Sequence, residues 1–271
     1  MIQVNRWIWW AIPLIVLVLM LGYMNNSFIR SMIYPAPSVR VPSQPPDSYE
    51  QPDWDLEMHG WLYRPDSESP GQVMIYFHGN GENLETMRQS GLLEELETLR
   101  IPFLVVDYPG YGLSKGQSSE ESILRDSLRA TKWLKRVFAD HSMIVCGWSL
   151  GASVAIQTAA ATEDADALIA LSAWTSLKDV AMLHFPEWLV RFTLNEKFDA
   201  LESAETIQLP ALFIHGKQDD LIPASQGKKV ADAISGPKRW VSFPGVGHND
   251  LLAQPEVWNE IRKFLSEWEN K

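Results

Sequence analysis

An α/β fold built on a mostly parallel sheet is predicted by three features of the sequence. Short apolar runs rich in β-branched residues recur along the chain, helix-period stretches lie between them, and residues 54–271 suffice for one such domain. The runs are Val73–Phe77, Phe103–Val106, Met143–Cys146, Ala167–Leu171, Ala211–Ile214 and Arg239–Phe243. The intervening stretches are Asn83–Leu99, Glu120–Val137, Leu150–Ala161, Pro223–Ile234 and Glu256–Trp268. Such alternation requires right-handed crossovers, which lay helices on both faces of the sheet. Leu56–Arg64 (LEMHGWLYR) alternates polar with apolar residues and predicts an antiparallel edge. About eight strands are expected in all, and chemistry in sheets of this kind gathers at the carboxyl ends of the strands.

Composition narrows the function. With 46% hydrophobic residues the chain can bury a core, which excludes a disordered or collagen-like protein. Its 34 acidic and 23 basic side chains leave a net charge of −11, so no basic stripe is offered to nucleic-acid phosphates. The single cysteine, Cys146, excludes an internal disulfide and a Cys-rich zinc site. No cofactor or metal motif is recognised.

Residues 1–30 differ in kind from the rest. Trp7 to Met24 (WIWWAIPLIVLVLMLGYM) carries no charge, and eighteen residues in helix would reach about 27 Å, close to the thickness of a bilayer core. Trp7, Trp9 and Trp10 crowd one end, where indoles favour the membrane interface. The small residues of a signal cleavage site are missing around Tyr23–Asn25. An uncleaved single-pass anchor over 7–24 is therefore expected, with the amino terminus inside and the main domain outside. Six prolines between Pro35 and Pro52 mark residues 31–53 as an extended tether into the folded body at 54–271.

The strand Met143–Cys146 runs into Gly147-Trp148-Ser149-Leu150-Gly151 and then a helical run of small residues. A serine at such a strand-to-helix corner is exposed on a strained turn, and the helix start behind it aims N–H groups at developing negative charge. The competing reading makes Ser149 a helix amino-cap. After Val73–Phe77 comes His78-Gly79-Asn80-Gly81-Glu82-Asn83, where glycines let backbone approach a ligand. The N–H groups of Asn80 and Leu150 are the expected donors to an oxyanion. His78 is expected to support its loop.

Downstream, Ala211–Ile214 ends in His215-Gly216-Lys217-Gln218-Asp219-Asp220, and the last strand leads to Gly247-His248-Asn249. A serine needs an imidazole to take its proton, and a carboxylate to orient that imidazole. His248 fits the base, while Asp219 and Asp220 both remain open for the acid.

Together, the stretches YFHGNGEN (76–83), VVDYPGYGLSKG (105–116), VCGWSLGASVA (145–155), FIHGKQDDLIP (213–223) and GVGHND (245–250) resemble the α/β-hydrolase superfamily. The chain looks most like the membrane-anchored, serine-aminopeptidase-like branch, with Gly81 where that branch commonly has alanine. The resemblance implies the α/β-hydrolase fold and a triad of Ser149, Asp219 and His248. It also implies that Asp107 is a turn-former. An insertion at about 174–205 carries Trp174, Phe185, Trp188, Phe192 and Phe198. With Trp148 at the corner, Trp174, Phe185 and Trp188 are expected to line an apolar acyl pocket, the alternative being that they only pack the insertion onto the body. The activity expected is hydrolysis of carboxylic esters or thioesters with small-molecule or lipid-like acyl groups. An aminopeptidase or amidase of the same fold and a non-catalytic anchored binding protein are the competing classes.

Overall fold

The computed structural model describes residues 30–66 and 71–269. Eight strands form one sheet in the order β1-β2-β4-β3-β5-β6-β7-β8. They are β1 (Tyr49–Glu50), β2 (Gly60–Tyr63), β3 (Gln72–Phe77), β4 (Phe103–Val106), β5 (Ser142–Trp148), β6 (Ala167–Leu171), β7 (Ala211–Gly216) and β8 (Lys238–Phe243). Both β1 and β2 run antiparallel to their neighbours, and the remaining pairings are parallel. The six runs read from the sequence are all strands, and the alternating segment 56–64 supplies β2.

Strand β3 shows how the sheet divides the core. Val73, Ile75 and Phe77 face one layer with Ile123, Leu134 and Val154, while Met74 and Tyr76 face the other with Leu84, Leu96 and Trp258. The first layer holds α3 (Glu120–Val137), α4 (Leu150–Ala161) and α8 (Ala224–Ala233); the second holds α1 (Leu84–Gln89), α2 (Leu92–Glu97) and α9 (Pro255–Glu269). Between β6 and β7 lie α5 (Leu177–His184), α6 (Glu187–Thr193) and α7 (Ala200–Ala204), at the insertion expected over 174–205.

Two expectations are corrected. The helix predicted over Asn83–Leu99 is two helices, because Gly91 turns left-handed at φ 80° and re-aims Leu92, Leu93 and Leu96 into the core. The proline-rich segment 31–53 is no free tether. Tyr34, Val41 and Tyr49 are buried, and Tyr49 opens β1. Its prolines forbid helix but leave apolar side chains free to dock, and the fold uses them. The anchor expected over 7–24 lies outside the described residues. Among those described, no helix is long and apolar enough to cross a membrane.

Candidate active site

Parallel pairing sets Phe77 of β3 opposite Gly147 of β5, so the loop after β3 emerges beside the corner after β5. Strand β5 ends at Trp148, and Ser149 turns the chain at φ 58°, ψ −117° before α4 begins. This positive φ is strained for a residue bearing a side chain. The two flanking glycines are needed for steric reasons. A Cβ on Gly147 would collide with the Gly151 carbonyl, and one on Gly151 with the carbonyls of Phe77 and His78. Ser149 makes no side-chain cap bond to α4, which excludes the amino-cap reading.

Its hydroxyl instead meets an imidazole. Ser149 Oγ lies 3.0 Å from His248 Nε2, and His248 Nδ1 lies 2.7 Å from Asp219 Oδ2. A carboxylate only accepts, so His248 carries its proton on Nδ1 and turns the Nε2 lone pair toward the serine. All three side chains are nearly buried, with exposures of 6% for Ser149 and 5% for both His248 and Asp219. The sequence left two aspartates open; here Asp220 is exposed and Asp219 meets the imidazole.

Asp219 is held from several sides. Its Oδ1 accepts the N–H groups of Ile222 at 2.7 Å and Leu221 at 3.2 Å, and His215 Nε2 stands 3.2 Å from its Oδ2. His215 Nε2 also lies 2.9 Å from the Ile222 carbonyl, which can only accept, so that nitrogen bears the proton. Burial pushes the Asp219 carboxyl up, but the hydrogen bonds from His215, His248 and Ile222 outweigh it and hold it well below the usual carboxylate range. The carboxylate is therefore ionised wherever the protein is folded at ordinary pH.

The loop after β3 is fixed by a second set of groups. Tyr108 Oη donates to the His78 carbonyl at 2.7 Å, and Tyr111 Oη lies 2.8 Å from Asn80 Oδ1 and 3.0 Å from the Asn80 carbonyl. Asn80 Nδ2 donates to the Ile33 carbonyl at 2.5 Å, and Glu82 Oε2 accepts the Gly79 N–H at 2.7 Å. Burial pushes the Glu82 carboxyl up to about 7 despite that bond. His78 stays within its loop, Nδ1 donating to the Gly79 carbonyl at 2.8 Å, and burial lowers its pKa. Among the described residues, no acceptor takes the backbone N–H of Asn80 or of Leu150. Tyr108, Tyr111 and Glu82 went unassigned in the sequence because spacing does not reveal which backbone groups their side chains reach.

The aromatic residues expected at an acyl pocket divide. Trp148 packs its ring on His248, centroids 5.2 Å apart at 30°, and against Gly79. Trp174 is buried in the core and donates to the Phe198 carbonyl at 3.2 Å, so it packs the insertion onto the body. Phe185 and Trp188 are 45% and 71% exposed and form no closed lining. Two surface hollows lie elsewhere, one between Trp54 and Trp133 and one between Pro42–Pro46 and Arg88. Neither is lined by Ser149 or His248.

Relatives agree with this architecture. The family model described as serine aminopeptidase, S33, matches residues 68–198. An uncharacterized protein of Mycobacterium tuberculosis, MT2364, is 32% identical across 95% of both chains. The chain belongs to the α/β-hydrolase superfamily, in its serine-aminopeptidase-like branch. This hydrolase is also 26% identical to the lysophosphatidylserine lipase ABHD12 of Danio rerio, over 75% of its own length and 60% of that protein's. The Pyrococcus furiosus esterase Pf2001 shares the hydrolase's fold with a TM-score of 0.69 at 21% identity, covering 86% of this chain and 99% of that one. By family the protein is thus a serine hydrolase.

Proposed function

We propose that the protein hydrolyses carboxylic esters with apolar acyl groups through Ser149, His248 and Asp219, held at a membrane by residues 7–24. The observation that carries this reading is the 3.0 Å approach of Ser149 Oγ to His248 Nε2 at a strained corner. In the first half-reaction Ser149 Oγ bonds to the substrate carbonyl carbon as His248 Nε2 takes the hydroxyl proton. The carbonyl oxygen becomes an anion that accepts from the N–H groups of Asn80 and Leu150. Collapse breaks the bond to the alcohol oxygen, and His248 returns the proton to that leaving group. Water then attacks the acyl-enzyme, giving its proton to His248, and the acid departs as Ser149 regains its hydrogen. Asp219 stays ionised throughout, fixing the tautomer and stabilising the imidazolium.

Ester specificity is favoured by kinship with a lysophosphatidylserine lipase, whose named substrate is an acyl ester. An apolar acyl group suits the exposed Phe and Trp side chains of the insertion, whose His184 ring reaches the Leu221 carbonyl in the loop that holds Asp219. The test is a panel of acyl esters, thioesters and amino-acid amides of graded length. Turnover of long-chain esters above amides is expected; preference for amides with a free amine would overturn the reading.

A further inference from the structure

The chain reaches its site on a short leash. Between Met24, the last residue of the uncharged run, and Arg30 lie five residues, which can span at most about 20 Å. From Arg30 onward the chain is already on the body. Residues 30–33 form a helical turn, Ile33 is bonded to Asn80, and Tyr34 packs edge-on against Phe198 of the insertion with centroids 6.4 Å apart. A bilayer holding residues 7–24 would therefore lie close to the insertion and to the loop carrying Asn80.

The insertion itself turns an apolar surface outward. Leu183, Phe185, Trp188 and Phe192 are 52%, 45%, 71% and 83% exposed. Trp188 and Phe192, four residues apart, share one face of α6, while Val190 on the opposite face is buried. Leu221, 43% exposed, extends the patch to the loop of Asp219, and the His184 ring reaches the Leu221 carbonyl at 3.0 Å. Charge agrees with the placement. Lys178 and Arg191 balance Asp179 and Glu187 over Leu177–Thr193, whereas the whole chain carries −11. The stretch is electrically neutral, so an anionic lipid surface does not repel it.

We infer that the outer face of α5 and α6 is an interfacial lipid-docking surface, which seats in the bilayer beside the anchor and opens the site to acyl chains still lodged in the membrane. Partly buried indole and phenyl rings at the headgroup boundary supply the attachment, as in interfacial amphipathic helices. The inference rests on the proposed anchoring and ester hydrolysis, and its test separates it from both.

Cys146 is buried, so a cysteine placed on the surface can be labelled selectively. The full chain, carrying a fluorophore on Phe192→Cys, on Ile15→Cys or on Lys263→Cys, is reconstituted in phosphatidylcholine–phosphatidylglycerol vesicles containing doxyl lipids. Lys263 is exposed on α9, across the sheet from the insertion. Quenching is expected at position 192 with a shallow-placed doxyl group and at position 15 with a deep one, and none at 263. Quenching at 15 but not at 192 overturns the docking while leaving the anchor intact; quenching at neither overturns both. Lipid-independent energy transfer between labelled copies at position 192 would make this face a self-association surface and also overturn it. In a second readout, Leu183→Ser with Phe192→Ser should leave turnover of a water-soluble acetyl ester unchanged and slow turnover of a long-chain ester presented in vesicles by at least about tenfold. Equal loss on both esters, or loss on neither, contradicts the inference. Failure of the unaltered protein to cleave any ester counts against the proposed function alone, since the quenching is read without turnover.

Discussion

The side-chain amide of Asn80 donates to the Ile33 carbonyl at 2.5 Å, tying the loop beside the serine corner to the segment that enters the domain. Tyr111 holds the other end of the same amide at 2.8 Å. In the proposed reaction Asn80 gives its backbone N–H to the oxyanion, while its side chain is tied to Ile33 and Tyr111. The variant Asn80→Ala keeps the donor and loses the fixation. Its kcat should fall about tenfold with KM little changed, because a misplaced donor weakens transition-state binding above all. Steady-state kinetics on a soluble ester checks this, and an unchanged kcat would remove Asn80 from a positioning role.

The two neighbouring aspartates should behave very differently. Asp219→Asn is expected to lower kcat by roughly 10³–10⁴, since an amide can donate to His248 and favour the wrong tautomer. Asp220→Asn, on an exposed side chain, should stay within about twofold of the parent in the same assay. Comparable losses in both variants would refute the assignment of Asp219.

Glu82 should leave a signature in stability against pH. Burial raises its folded pKa from 4.5 to about 7, so the folded state binds this proton more tightly than the unfolded state does. Its contribution is therefore most favourable at low pH and is lost as pH rises from about 4.5 through about 7. Glu82→Gln removes the titration and should gain up to about 2 kcal/mol over the parent at pH 8, with little gain at pH 5. Denaturant melts at the two pH values measure the difference. A gain independent of pH would show that Glu82 is not held in this way.

Close backbone approach at the corner predicts a structural cost. A methyl group at Gly151 would meet the carbonyls of Phe77 and His78, so Gly151→Ala should lose about 2–4 kcal/mol or fail to fold. Thermal unfolding reads this directly, and a Tm within a degree or two of the parent would contradict it.

How much of this was legible in the sequence follows from which signals are local. Strand runs such as Phe103–Val106 and Ala167–Leu171 coincide with observed strands because a buried parallel strand is a continuous apolar run. The serine corner was legible because its steric demand falls on the adjacent Gly147 and Gly151. The break at Gly91 was missed, since apolar residues on both sides keep helical spacing and a lone glycine can sit within a helix. The docking of residues 31–53 was also missed. Proline content reports backbone conformation, but the burial of Tyr34 and Val41 depends on a surface assembled from distant parts of the chain. For the same reason the phenols of Tyr108 and Tyr111 could not be assigned beforehand. The choice between Asp219 and Asp220 rested on resemblance, because which of them meets His248, 29 residues further on, is a long-range contact that spacing does not reveal.

The most direct test is reaction of the full-length protein with a fluorophosphonate, followed by mass mapping of the adduct. One adduct on Ser149 is expected, formed with loss of esterase activity and absent from the folded Ser149→Ala variant, which should also be inactive. Ester turnover persisting in Ser149→Ala, or an adduct on another serine that accompanies inactivation, would contradict the assignment of Ser149 as the nucleophile.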